Sequence, residues 1–227
     1  MVAVSAERRV ARAFGYPFRP GAARTWIPAM FCMLVLPLGL VPLLGYTARA
    51  IRVSAADPES APPSMRLDRR LLGDGVRLLL AILLLALPFL LAAPAVYAAI
   101  EGSGVFAAGG DAFFDAAYSG TATAFLLLLL WALAFFFLGP PNIAAFAISG
   151  RLRDLLDPVA AGRRVRQALI DWNLVTVVVA TSWTIAILGA ALLCVGVIPA
   201  AVYAMLVTAH AISVLAPRAD QTSGQAP

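Results

Sequence analysis

The chain has 227 residues, 62% of them hydrophobic and 13% charged. Soluble domains carry about 25% charged residues, so this composition excludes an ordinary water-soluble fold and reads as an integral membrane protein. The net charge is +5 and all 17 basic residues are arginine, which excludes chemistry that needs a lysine amine, such as P-loop phosphate binding or Schiff-base formation.

Residues 1–24 are polar to mixed and hold Arg8, Arg9, Arg12, Arg19 and Arg24. They are expected to form a cytoplasmic N-terminal segment. They do not fit a secretory signal, because the apolar run starts late and no small-x-small cleavage pattern follows it. A single membrane domain is expected over 25–216. Its first apolar run, Thr25 to Ala48, carries no charge and is long enough for one span of about 20 residues. Yet it contains Pro28, Pro37 and Pro42 with Gly39 and Gly45, and each interior proline costs an ordinary helix about 3 kcal/mol. "LPLGLVP" therefore reads as a break between two short helices, which survives in lipid only where its freed carbonyls are covered.

Arg49 to Arg77 reads as a basic loop around the turn-forming "ADPESAPPS". The following "SMRLDRRLLGDG", with Ser64 as N-cap, reads as a short interfacial helix. Leu78 to Ile100 is uncharged and is the clearest span, with Pro88 and Pro94 as kink points. Glu101 to Asp115 has three acids and no arginine and reads as a loop. Within Ala116 to Gly150, "FLLLLLWALAFFFL" reads as a span, interrupted by "GPPN" at 139–142 before a short helix. Arg151 to Asp171 is basic again, and Asp157-Pro158 reads as an N-cap followed by proline at the first helical position. A second interfacial helix should run from there to near Ile170. Trp172 to Pro217 is uncharged for 46 residues. A single helix of that length would run about 69 Å, more than twice the hydrocarbon thickness. It must turn at "GAALLCVG", giving a terminal helical hairpin over 173–192 and 196–215. The tail, 217–227, is polar and expected to be disordered.

The expected fold is all-α: a polytopic transmembrane helical bundle with a Pro/Gly-broken first hydrophobic segment, a terminal hairpin and two short interfacial helices. Arginine-rich loops stay cytoplasmic. The loops 49–77 and 151–171 hold eleven of the arginines and loop 101–115 holds none, so the first two face the cytoplasm and the third faces out across the cell membrane. Arginines flank the first apolar run on both sides, and a broken hairpin that enters and leaves on the cytoplasmic side resolves that conflict.

"GLVPLLGY" (39–46) and "GVIPAAVY" (196–203) share the pattern Gly-x-x-Pro-x-x-x-Tyr. Each is read as the start of a hairpin's returning arm. Gly39 and Gly196 make the turn, Pro42 and Pro199 sit in the first helical turn, where a missing N–H costs least, and Tyr46 and Tyr203 follow about two turns from the glycine. The two arms would form a parallel repeat. The simpler reading is two independent proline-started helices.

Asp111 and Asp115, four apart, could form an outer cation site, but the simpler reading is a helix cap and a solvated carboxylate. Asp74 before Gly75, and Asp171 before Trp172, could relay protons or bind ligand; the simpler reading is an N-cap beside an arginine or aromatic ring. His210 reads as a packed or interfacial side chain before it reads as a buried proton site. Tyr46, Tyr97 and Tyr203 read as anchors or hydrogen-bonding packers. Cys32 and Cys194 read as small packing residues, and Ala186/Ala190 with Ala200/Ala204 favour close helix contact. No catalytic, cofactor-binding or metal-binding residue is assigned, and no cofactor or nucleic acid is expected. The expected partners are the lipid bilayer and other membrane proteins or a second copy. The expected function is that of a non-enzymatic membrane scaffold or interaction protein. The alternative is a small-solute carrier or channel subunit using the broken helices 25–48 and 190–215.

Several stretches together resemble a known family. They are "YPF" at 16–18, Trp26, "LPLGLVPLLGYTARAIR" at 36–52, Pro62, "LLGDGVRLLL" at 71–80, "GPPNIAAFAISGRLRDLLD" at 139–157 and "LGAALLCVGVIPAAVYAMLVTAHAI" at 188–212. They resemble the domain-of-unknown-function family 4013, over about Tyr16 to Leu215. The resemblance implies a polytopic membrane protein without an established activity, so it transfers no catalytic residue. One departure is "PSMRLDRR", where the family tends to have an acidic and aromatic patch before the Asp-Gly pair.

Overall fold

The computed structural model describes residues 6–102, 126–127, 129–130, 133, 139–191 and 196–215. All regular structure among these residues is helical. In chain order the helices are α1 (Ala6–Gly15), a 3-10 turn (Tyr16–Phe18), α2 (Ala23–Leu34), α3 (Leu40–Ala56) and α4 (Arg69–Gly102). Then come α5 (139–149), α6 (Leu152–Leu156), α7 (Pro158–Gln167), α8 (Leu169–Ala191) and α9 (Val197–Leu215).

The chain divides into two compact units. The first comprises Met1–Leu79 and Phe137–Pro227. Its centre is α9, which packs most extensively on α8 and also on α3, α1 and α2. Val202, Ala204, Leu206, Val207, Ala211 and Ile212 of α9 are buried there. The second unit is Leu80–Phe136, and its described part is the rest of α4 with helical residues between 126 and 133.

The terminal hairpin is present as α8 and α9, and its turn residues 192–195 lie outside the described residues. The break at "LPLGLVP" is also present: α2 ends at Leu34 and α3 starts at Leu40. Asp157 caps α7 as expected, its Oδ1 accepting from the Ala160 N–H at 2.8 Å, with Pro158 at the first helical position. The Asp111/Asp115 pair and Cys194 lie outside the described residues.

Two expectations are corrected. Arg49–Arg77 is not one loop, because α3 continues through Ala56 and only 57–68 lacks helix. Ala50, Ile51 and Ser54 bury one face of that extra length. Arg49 and Arg52 find carboxylates, Asp68 and Asp74, without leaving the helix. The separate interfacial helix capped by Ser64 does not form either. Residues 60–68 carry no helix, and Asp68 supplies the cap, its Oδ1 accepting from the Leu71 N–H at 2.7 Å. The helix that follows is continuous for 34 residues.

Two helices among the described residues, Leu169–Gly189 and Val197–Val214, are long and apolar enough to cross a membrane.

Candidate functional site

Two of the polar side chains that the core buries, Ser54 and His210, meet at the 3-10 turn between α3 and α9. "YPF" forms the 3-10 turn, with Pro17 locking its backbone and Tyr16 and Pro17 buried. The Tyr16 ring stacks on His210 of α9, with centroids 4.2 Å apart and planes at 14°. The Ser54 hydroxyl of α3 donates to the Tyr16 oxygen at 3.2 Å. The Arg19 guanidinium lies over the Tyr16 ring at 5.4 Å. Burial raises the Tyr16 pKa, partly offset by the Ser54 bond and the Arg19 charge. Tyr16 is thus a neutral ring that joins three segments. His210 is wholly buried, and among the described residues neither ring nitrogen has a hydrogen-bond partner.

Arg19 carries the same junction outward. Its guanidinium donates to the carbonyls of Pro58 at 2.8 Å and Ser60 at 2.6 Å, and lies 3.8 Å from Glu59. Glu59 also pairs with Arg12 of α1 at 2.7 Å. The 57–68 connection, which has no helix of its own, is therefore held by side chains from the N-terminal region.

The first copy of the repeated motif holds the other end of that connection. Gly39 is the N-cap position of α3, and Pro42 stands in its first turn. Tyr46 is fully buried, and its hydroxyl donates to the Pro63 carbonyl at 3.0 Å. Thr25 of α2 donates to the same carbonyl at 2.8 Å, so both lone pairs of one oxygen are used. In the second copy, Gly196 precedes α9 and Pro199 stands in its first turn. Tyr203 is half-buried, its hydroxyl donates to the Phe14 carbonyl at 3.4 Å, and its ring meets Phe18 at 5.7 Å. The two arms converge on one ring: Ser54, fifteen residues beyond Gly39, and His210, fourteen beyond Gly196, both reach Tyr16.

Asp74 is not a helix cap, since it lies in the second turn of α4. It is 5% exposed and accepts from Arg52 at 3.0 Å, with Arg77 at 3.8 Å. Arg52 also donates its Nε–H to the Ala147 carbonyl at 2.8 Å, so the ion pair ties α3, α4 and α5 together. Gly45 and Gly75 let α3 and α4 approach: a Cβ on Gly45 would stand 1.9 Å from the Leu71 oxygen, and one on Gly75 2.0 Å from the Val41 oxygen. Asp171, in the first turn of α8, pairs with Arg9 at 3.5 Å.

Gly39, Pro42 and Tyr46 thus fall on one hairpin and Gly196, Pro199, Tyr203 and His210 on another. Asp74 stands apart from both, paired with Arg52. Sequence reasoning missed Tyr16, Arg19, Thr25, Ser54 and Arg52. Only Tyr16 carried a signal, the aromatic-proline-aromatic "YPF". Among the described residues, no three His, Cys, Asp or Glu side chains gather as a metal site would require.

A family profile described as "protein of unknown function (DUF4013)" matches residues 29–195. The chain belongs to the DUF4013 family. Its matched region contains the second half of α2, all of α3, the Gly45/Gly75 crossing, the Asp74–Arg52 pair and α8. Comparison with curated proteins and with solved structures gives no match. The Tyr16–His210 stack therefore lies outside the span that the DUF4013 profile covers.

Proposed function

We propose that this DUF4013 protein is a multi-pass integral protein of the cell membrane that acts as a non-enzymatic scaffold or interaction protein. Its arginine-rich segments 49–77 and 151–171 would face the cytoplasm, and 101–115 the outside. The observation that carries the reading is α8. This helix carries no charge beyond Asp171, and Val177, Trp183, Ile185, Ile187 and Leu188 remain exposed although α9 packs against it. Such a face is unfavourable in water and natural in lipid. The polar groups described above support the second part of the reading, since most are engaged in holding segments together.

The test has two steps. High-pH carbonate should leave the protein in the membrane pellet, and release into the supernatant would sink the membrane assignment. Cross-linking in native membranes followed by mild-detergent purification should then return one reproducible protein partner or a second copy. A monomer recovered alone under both conditions would sink the scaffold assignment.

A second reading, a small-solute carrier or channel subunit, draws on the paired helix starts at Gly39 and Gly196. Deleting the protein should then abolish a solute flux that Tyr46→Phe fails to restore. Unchanged fluxes across a broad solute panel would remove it.

A further inference from the structure

We propose that α2, the 35–39 turn and α3 form a re-entrant wedge. The hairpin enters one leaflet tip first, places residues 34–38 among the acyl chains, and returns to the headgroup layer it left. The proposal rests on the reading of the chain as an integral membrane protein and commits to lipid as the occupant of the exposed tip.

Length is the first argument. At 12 residues α2 is about 18 Å long, well short of a hydrocarbon core of about 30 Å. The uncharged part of α3 ends at Ala48, before Arg49. Joined in line the two pieces could cross, but they are not in line. Thr25 on α2 and Tyr46 on α3 approach to 3.4 Å, whereas 21 residues of continuous helix would separate them by about 30 Å. The closeness of the arms is also why Gly39 is glycine, since a Cβ there would fall 1.7 Å from the Cys32 carbonyl oxygen.

The tip is the second argument. Leu34, Leu36 and Leu38 are exposed, the last at 79%, and Ile27 and Phe31 extend the apolar stripe down α2. Turns that face water draw on Asn, Asp and Ser besides Gly and Pro, and the 35–39 turn has Pro37 and Gly39 but no Asn, Asp or Ser. Its backbone is partly satisfied from within, as lipid, which offers no hydrogen bonds, requires, although among the described residues the Leu36 and Leu38 amides have no such bond. The amides of Val35, Gly39, Leu40 and Leu43 bond to the carbonyls of Phe31, Val35, Pro37 and Gly39. Pro37 and Pro42 have no N–H to satisfy. The prolines that break the helix therefore also reduce the number of unmet donors at its tip.

The feet are the third argument. Arg19 and Arg24 precede and open one arm, and Arg49 and Arg52 stand on the other. Arg49 and Arg52 are paired with Asp68 and Asp74, and Arg19 is bound to the 57–68 connection. What the feet contribute is therefore the topogenic argument: arginines on both sides oppose a crossing that would carry one pair through.

Site-directed nitroxide labelling tests this on the full chain, in a Cys32→Ala, Cys194→Ala background and in phosphatidylcholine–phosphatidylglycerol vesicles. Single labels go at Arg24→Cys, Leu38→Cys, Ala56→Cys and Ile187→Cys, all exposed positions. Leu38 should show a higher collision ratio of oxygen to a water-soluble nickel chelate than Arg24 and Ala56. In intact cells, an impermeant maleimide should treat Arg24→Cys and Ala56→Cys alike. Opposite sidedness would show a crossing and overturn the wedge. A Leu38 label as open to nickel as the feet would place the tip in water and overturn it. A Leu38 label shielded from both reagents would mean that protein, a partner or a second copy, covers the tip, and would overturn lipid as its occupant. Ile187 separates the two levels: if it too is open to nickel, the membrane reading has failed, whereas an oxygen-rich Ile187 beside a failed Leu38 condemns only the wedge.

Discussion

His210 poses a sharp question at the scale of single residues. A buried imidazole whose two nitrogens meet no protein group among the described residues forfeits hydrogen bonds it would make in water, and stacking on Tyr16 is the contact that offsets that loss. If packing is its whole role, His210→Phe keeps the ring and removes the unmet groups. Thermal unfolding in detergent should then show a change between zero and a gain of about 1 kcal/mol. A clear loss would mean that the nitrogens are bonded, by water or a solute, and would return His210 to the functional candidates. Asp68 gives a second test, this one in pH. Its carboxylate accepts from the Leu71 N–H and from Arg49, which hold its pKa below the usual carboxylate value. Across the window between the folded and the higher unfolded pKa, the unfolded chain binds more protons, so stability rises with pH. The stabilisation is present above the unfolded value and disappears as pH falls through the folded one. Asp68→Asn should therefore be less stable than the parent near neutrality, and the gap should close in acid. A gap independent of pH would mean that the charge contributes nothing to the cap.

At the scale of elements, the α3–α4 contact depends on hydrogen atoms standing where side chains would otherwise be. Gly73 and Gly75 lie two apart on α4, yet a Cβ on Gly73 meets nothing within 4 Å while one on Gly75 strikes the α3 backbone. Helix propensity alone predicts that both glycine-to-alanine changes stabilise by about 0.5–1 kcal/mol. Packing reverses the sign at one of them. Gly73→Ala should raise the unfolding temperature, and Gly75→Ala should lower stability by about 3 kcal/mol, since backbone rather than a flexible side chain must move. Equal responses would mean that α3 and α4 do not cross so closely. The same contact shows what the sequence could and could not convey about elements. Charge-free length, prolines and glycines marked the two hairpins, because those properties act locally. The ends of α3 and α4 were misplaced because Arg49 and Arg52 looked like loop residues until Asp68 and Asp74, distant in sequence, were seen to neutralise them. The Ser64 start failed for a simpler reason: Ser and Asp are both good caps, and the local sequence does not decide between Ser64 and Asp68.

At the scale of the molecule, the motif residues were legible as helix starts, but the junction that unites them was not. Tyr16, Ser54 and His210 are far apart in sequence, and nothing about a tyrosine or a serine announces which distant ring it will meet. Arg19 was legible only as one more topogenic arginine. In the fold it fastens the N-terminal region to the 57–68 connection through two carbonyls, approaches Glu59 and covers the ring that reaches α3 and α9. It is also the better sheltered partner in its pair, with a side chain 16% exposed against 63% for Glu59. Removing it should therefore act on the whole first unit. Hydrogen bonds from a charged donor contribute about 1.5–3 kcal/mol each, and partial exposure together with the weak Glu59 contact argues for the low end. Arg19→Ala should lower stability by about 3 kcal/mol, which for a chain of this size is a fall of about 9 °C in unfolding temperature. Arg24→Ala, on an exposed arginine beside the same turn, removes the same charge without those carbonyl bonds and should change the temperature little. Equal falls in the two variants would trace the effect to net charge. A fall confined to Arg19→Ala, with the 57–68 connection becoming open to protease, would trace it to the clamp.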